Sequence, residues 1–111
     1  MGQNENNAKI LLAEDDNDMR RFLVKALQNA GFEVISYDNG LSAYQRLREE
    51  PFQLLLTDIV MPEMDGIELA RRAAELDPDI KIMFITIVIR RNRPVQRGRI
   101  TPGNNFRGAV G

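Results

Sequence analysis

Four short apolar runs, each separated from the next by a stretch with helical period, constrain this chain more than any other feature. The runs are Lys9–Ala13, Glu33–Tyr37, Phe52–Thr57 and Ile80–Thr86, with Leu54-Leu55-Leu56 at the centre of the third. The first and third runs have the pattern of strands buried on both faces of a parallel sheet, and Glu33–Tyr37 reads as a further strand. After the first run, Met19, Phe22, Leu23, Ala26, Leu27 and Ala30 form an apolar stripe that Gly31 ends as a C-cap, with Asp16 or Asn17 as its N-cap. After the second, Asp38-Asn39-Gly40 makes a turn, and Ala43, Tyr44 and Leu47 mark a helix over Leu41–Glu50 that stops before Pro51. After the third, a helix over Ile67–Leu76 places Ala70, Ala73 and Leu76 inward and Arg71, Arg72 and Glu75 outward, and Asp77-Pro78-Asp79 breaks it. Ile87-Val88-Ile89 could prolong the fourth strand. The order β-α-β-α-β-α-β predicts an α/β fold, a doubly wound parallel sheet joined by right-handed crossovers with helices on both faces.

In such a sheet the site lies beyond the carboxyl ends of the strands, where the strand order reverses. Two of the four runs end in acid: the first in Glu14-Asp15-Asp16, the third in Asp58. Carboxylates brought that close repel one another unless a cation sits among them. The chain has no cysteine and no histidine. That excludes disulfides, thiolate or imidazole metal sites, Ser-His-Asp chemistry and a phosphohistidine carried on this chain. Oxygen-only ligands favour Mg²⁺, Mn²⁺ or Ca²⁺, and Mg²⁺ leaves room for waters and phosphate oxygens. A carboxylate beside Mg²⁺ can attack phosphorus and form an acyl phosphate.

Ile10-Leu11-Leu12-Ala13-Glu14-Asp15-Asp16, the stretch Leu54-Leu55-Leu56-Thr57-Asp58-Ile59-Val60-Met61-Pro62-Glu63-Met64-Asp65-Gly66, and Ile82-Met83-Phe84-Ile85-Thr86 together resemble the receiver domains of two-component response regulators. The resemblance runs from about Lys9 to Thr86 and, within the family, is greatest to single-domain receivers of the CpdR type, which link phosphorelays to regulated proteolysis in the cell cycle. It implies a flavodoxin- or CheY-like fold and a phosphorelay function. On the matching positions, Asp58 is the expected phosphoacceptor. Glu14 and Asp15 resemble the acidic pair that binds Mg²⁺ with Asp58, and Val60 the residue whose backbone carbonyl completes the protein ligands. Thr86 resembles the switch hydroxyl, and Pro62 and Gly66 the residues that shape the loop beneath the site. The implied partners are a histidine kinase or histidine phosphotransfer protein as donor and a separate output protein, in the cytoplasm, with no membrane and no nucleic acid.

Each assignment has a structural rival. Glu14-Asp15-Asp16 could be only a cap cluster, although Asp58 and the Met-Pro-x-Met-Asp-Gly loop at the right spacing argue against that. Asp65 reads as the cap of the third helix, Thr86 as an ordinary strand residue apart from the resemblance, and Met61 and Met64 as loop packing. A Mg²⁺-dependent phosphohydrolase with an Asp nucleophile is a rival of another class, but such enzymes carry a second Asp where Val60 stands.

The pattern fails after Thr86. Receivers of this family continue with a fourth helix, a fifth strand ending in Lys-Pro and a fifth helix, and that lysine reaches the phosphoryl group. Here the three lysines are Lys9, Lys25 and Lys81. Residues 1–86 hold all 16 acidic residues and 9 basic ones, a net charge of 9 − 16 = −7, whereas residues 87–111 hold six arginines and no acid. The expected organisation is an N-terminal extension over 1–8, a receiver over 9–86 that is incomplete at its C-terminal end, and a disordered Arg/Gly-rich tail over 87–111. A basic arm that binds nucleic acid or an acidic surface, and a divergent receiver whose sheet a partner completes, stand against a reading-frame shift or premature end in the gene. The shift accounts at once for the lost periodicity, the arginines and the missing lysine. Without the last strand and helices, marginal stability and a binding-only, phosphorylation-dead remnant become the alternatives to a working receiver. Translating the coding DNA past codon 86 in the other two frames should reveal Lys-Pro followed by a helical pattern. Neither frame showing it would remove the frameshift explanation.

Overall fold

The computed structural model describes residues 7–86. Strands β1 (Lys9–Ala13), β2 (Glu33–Tyr37), β3 (Leu54–Asp58) and β4 (Lys81–Ile85) alternate with helices α1 (Asn17–Asn29), α2 (Gly40–Glu49) and α3 (Gly66–Leu76). All strands are parallel, in the order β2-β1-β3-β4. The chain steps from β1 to one side through α1, then returns across β1 to build β3 and β4 on the other side. The strand order therefore reverses between β1 and β3, the place in such sheets where ligands bind beyond the carboxyl ends of the strands. Each predicted element is present. The segment 87–111, including the suggested prolongation through Ile87–Ile89, and most of the N-terminal extension lie outside the described residues.

Local chemistry fixes the element ends. Asp16, Asn39 and Asp65 are the N-caps of α1, α2 and α3, each accepting from the amide three residues on, at Met19, Ser42 and Glu68. Gly31 adopts φ 101°, the left-handed turn that closes α1, and its amide donates to the Gln28 carbonyl at 2.9 Å. Two strands are shorter than the apolar runs that announce them. The Lys9 amide donates to the Gln53 side chain, and β3 runs from Leu54. Ile80 donates its amide back to Asp77 within the turn, so β4 begins at Lys81.

The main core lies on the face covered by α2 and α3. Leu11, Ala13, Leu55, Ala43, Leu69 and Ala73 are buried there, with Phe52 and Met61, and Ile35, Tyr37 and Ile82 pack against them. The opposite face is less complete and corrects two expectations, and a third is corrected in α3. None of the α1 residues is buried, and Phe22, placed in the apolar stripe, is 66% exposed. The half-buried column Met19, Leu23 and Leu27 faces the sheet, because a single helix resting on β2 and β1 covers only the middle of so wide a stripe. Arg20, Val24 and Gln28 flank that column on the side of Ser36 in β2, and Phe22 and Ala26 flank it on the other. Leu54 and Leu56 are accordingly only half-buried, not sealed on both faces, and Met83 beside Leu56 is 56% exposed. In α3 it is Leu69 that is fully buried, while Leu76, expected inward, sits at the last turn and is 44% exposed.

This asymmetry has a measurable consequence. Leu55→Ala should cost about 2–5 kcal/mol in urea unfolding, the range for emptying a packed leucine site. Phe22→Ala should cost no more than about 0.5 kcal/mol, as exposed substitutions do. Comparable losses at the two positions would contradict the assignment of faces.

Candidate metal centre

The register of the sheet brings the acidic residues together. Ala13 pairs with Thr57 in the parallel β1–β3 ladder, so Glu14 and Asp58 emerge one step further along two neighbouring strands. The Glu14 amide donates to the Tyr37 carbonyl at 3.0 Å, which holds the exit of β1 against β2. Carboxylate oxygens of Glu14, Asp15 and Asp58 lie within 4.8 Å of one another. Glu14 is buried, Asp58 half-buried and Asp15 exposed, so the group opens to solvent on one side. Asp58 Oδ1 accepts from the Ile59 amide at 2.8 Å, which fixes the plane of that carboxylate. Among the described residues none of the three forms an ion pair.

Glu14 bears the cost of this crowding. Its carboxyl is pushed up to about 7, first by burial, with the nearby Asp58 charge and hydrogen bonds to Asp15 and Asp58 adding to it; the Asp16 amide, donating to Glu14 Oε2 at 2.9 Å, pulls the other way. A buried carboxylate pressed against two others carries its charge at low cost only with a cation among them. Three hard oxygen donors on one small pocket fit Mg²⁺, which takes a few carboxylates and keeps waters in its remaining positions.

The loop beneath is built for close approach. A Cβ at Gly66 would lie 1.9 Å from the Asp58 carbonyl oxygen, and one at Gly40 would lie 1.9 Å from that of Met64. Gly66 donates its amide to the Ile59 carbonyl at 2.7 Å, closing the turn after β3. Glu63 carries the positive φ, 70°, that lets the chain bend between Pro62 and Met64. Met61 is buried and Met64 packs against the core, and Asp65 caps α3, as their sequence context suggested.

The remaining positions singled out in the sequence are placed differently. The Val60 side chain is 76% exposed, two residues past Asp58. Thr86 is exposed and follows Ile85, the register partner of Asp58, and its hydroxyl makes no hydrogen bond among the described residues. Lys81 begins β4, at the opposite end of the sheet from the carboxylates, and Lys9 pairs with Glu50 at that same far end. One contact had no signal in the sequence: the guanidinium of Arg20 donates to the Glu14 carbonyl at 2.9 Å.

With this geometry in view, the likeness to known proteins is specific. The profile of the response regulator receiver domain matches residues 10–97. The chain belongs to that family. The response regulator receiver protein CpdR of Brucella abortus (strain 2308) is 81% identical over 78 residues, covering 70% of this chain and 65% of that protein. The receiver thus spans just under two thirds of that relative's length. The sensor kinase CckA of the same organism is 37% identical over 81 residues, which is 71% of this chain and 9% of the kinase. A CheY-like receiver domain protein from Methanospirillum hungatei JF-1 superimposes with a TM-score of 0.70 at 29% identity, covering 78% of this chain and 70% of that one. The family profile reaches eleven residues past Thr86, further than the sequence pattern alone suggested.

The raised Glu14 carboxyl predicts a pH dependence. A group with a folded value near 7 and an ordinary value of 4.5 holds its proton more tightly in the folded receiver. Metal-free stability should therefore be highest below about pH 4.5 as far as this cluster contributes, and that contribution should be lost as pH rises to about 7. Mg²⁺ competes with that proton, so calorimetry at pH 6 in buffers of different ionisation enthalpy should show proton release on Mg²⁺ uptake. Uptake without proton release would contradict the placement of the proton in this cluster.

Proposed function

We propose that this receiver takes a phosphoryl group on Asp58, with Mg²⁺ held by Glu14, Asp15, Asp58 and the Val60 carbonyl. The observation that carries the reading is the convergence of three carboxylates, none in an ion pair among the described residues, from two strand ends at the point where the strand order reverses. Bound there, Mg²⁺ would neutralise charge on the incoming phosphoryl group and align it for in-line attack. Asp58 supplies the nucleophile: a carboxylate oxygen would bond phosphorus as the bond from phosphorus to the donor breaks, while Oδ1 accepts from the Ile59 amide. Glu14, buried behind, keeps negative charge close to the metal, and exposed Asp15 leaves the open side for the donor.

We take a histidine kinase or histidine phosphotransfer protein as the donor, since these residues include no histidine to carry the phosphoryl group. The similarity to CpdR supports a place in a phosphorelay that controls the cell cycle or proteolysis, with the signal passed on by protein contacts near Thr86 and not by turnover of a substrate. The position of Thr86, one step past the partner of Asp58, supports a role in which its hydroxyl turns toward a phosphoryl group and shifts that surface between two states. We take residues 9–86 as the receiver unit. No helix among the described residues is long and apolar enough to cross a membrane, and with no cysteine in the chain the cytoplasm is the compartment we assign.

A specific observation keeps a second reading in play. No lysine lies near the carboxylates in the described residues, and none follows Lys81 in the chain, so the usual cation that would face the phosphoryl group has no candidate. A binding module that is not phosphorylated is the alternative. Incubation with acetyl phosphate and Mg²⁺ followed by intact-mass measurement separates the two. The expected result is one phosphoryl adduct on the wild type and none on Asp58→Ala. No adduct on a folded wild type would overturn phosphorylation in favour of the binding module. Steady release of phosphate without an adduct would point instead to a hydrolase.

A further inference from the structure

Two of the three carboxylates stand on the loop between β1 and α1, and that loop is held by a side chain from outside the cluster. Arg20, in the first turns of α1, donates from Nη1 to the Glu14 carbonyl at 2.9 Å and from Nη2 to Asn17 Oδ1 at 2.7 Å. One planar guanidinium thus ties the residue that leaves β1 to the residue that begins α1, with only Asp15 and Asp16 between the two anchors. Inside this clamp the Asp16 amide donates to Glu14 Oε2 at 2.9 Å, and Asp16 Oδ1 accepts from the Met19 amide at 2.8 Å. The acidic loop is thus tied at the Glu14 carbonyl and at the Asn17 side chain, with Asp16 braced between them.

We propose that Arg20 is a positioning residue for the carboxylate cluster. By clamping residues 14–17 it holds the Glu14 and Asp15 carboxylates at the spacing a divalent cation needs. The inference rests on the reading that this cluster binds Mg²⁺. Two physical effects of Arg20 have opposite signs, which makes its role decidable. As a cation near the site, it repels Mg²⁺, so its removal should strengthen binding. As a clamp, it removes the conformational freedom of the ligand loop, so its removal should weaken binding. Outer-shell groups that orient metal ligands are worth roughly 10–100-fold in affinity. Lysine keeps the charge but cannot reproduce the planar fork, so it does not replace arginine at such a site.

Calorimetric Mg²⁺ titration of the full chain, with thermal melts in EDTA to check folding, tests this on wild type, Arg20→Ala, Arg20→Lys, Asn17→Ala and Asp15→Asn. Arg20→Ala should raise the Mg²⁺ Kd by about tenfold or more. Arg20→Lys should recover only part of that loss, and Asn17→Ala, which frees one anchor, should show a smaller increase. In acetyl phosphate labelling, the Mg²⁺ concentration for half-maximal rate should rise with the Kd, and the lost rate should return at saturating Mg²⁺. An unchanged or tighter Kd in Arg20→Ala, or full recovery by Arg20→Lys, would overturn the proposal. If Arg20→Ala does not fold, Asn17→Ala decides, and an unchanged Kd there overturns it. Failure of the underlying reading looks different: wild type would show no Mg²⁺ uptake, or uptake indifferent to Asp15→Asn.

Discussion

The parallel pairing of β1 with β3 is the constraint on which everything else in this receiver depends. Leu11 opposite Leu55 and Ala13 opposite Thr57 seal the ladder against α2 and α3, and Ile10 and Leu12 are buried on the other face of β1. A slip of one residue would turn each of these side chains to the wrong face, so hydrophobic burial fixes the register. The acidic residues are carried along by that choice. Glu14 and Asp58 are the next positions after the sealed part of the two strands, and no crossover helix covers them because the chain departs in opposite directions on either side.

The fold therefore expends part of its hydrophobic gain on holding like charges together. Glu14 shows this most clearly, since its carboxyl stays protonated to an unusually high pH when no cation is present. A divalent ion bound among these carboxylates would offset that repulsion, and any preference of the ion for the folded state would stabilise it. The surrounding contacts keep the carboxylates from relaxing apart. The Ile59 amide fixes Asp58, the Arg20 fork fixes the Glu14 main chain, and Gly66 allows α3 to begin directly under the Asp58 carbonyl.

Much of this was legible in the residues. The alternation of apolar runs with helical stripes gave every element of the described part, and the acidic strand ends gave the carboxylates that converge. Asp16 and Asp65 were readable as caps because a side-chain oxygen placed before an apolar stripe has one main use. What could not be read was burial that depends on a neighbour. Phe22, Leu54, Leu56 and Leu76 have core composition, yet their exposure is set by how much of the sheet one helix covers, a property of the assembly and not of the stripe. Leu69 was passed over for the same reason, since periodicity marks a face but not the depth of each position on it. Arg20 was missed because a bond from a side chain to a carbonyl six residues back leaves no periodic trace. Val60 and Thr86 stand out only through likeness to the family, and their geometry in this chain follows from the turn after β3 and the end of β4.

The most direct test of the account is to locate the cation itself. Crystals of the full chain grown with Mn²⁺, a scatterer that takes the same hard oxygen ligands as Mg²⁺, can be measured at the manganese absorption edge. A single anomalous peak bounded by carboxylate oxygens of Glu14, Asp15 and Asp58, and missing in Asp15→Asn crystals, is the predicted result. A peak elsewhere on the surface, or none while the three side chains keep their positions, would contradict it.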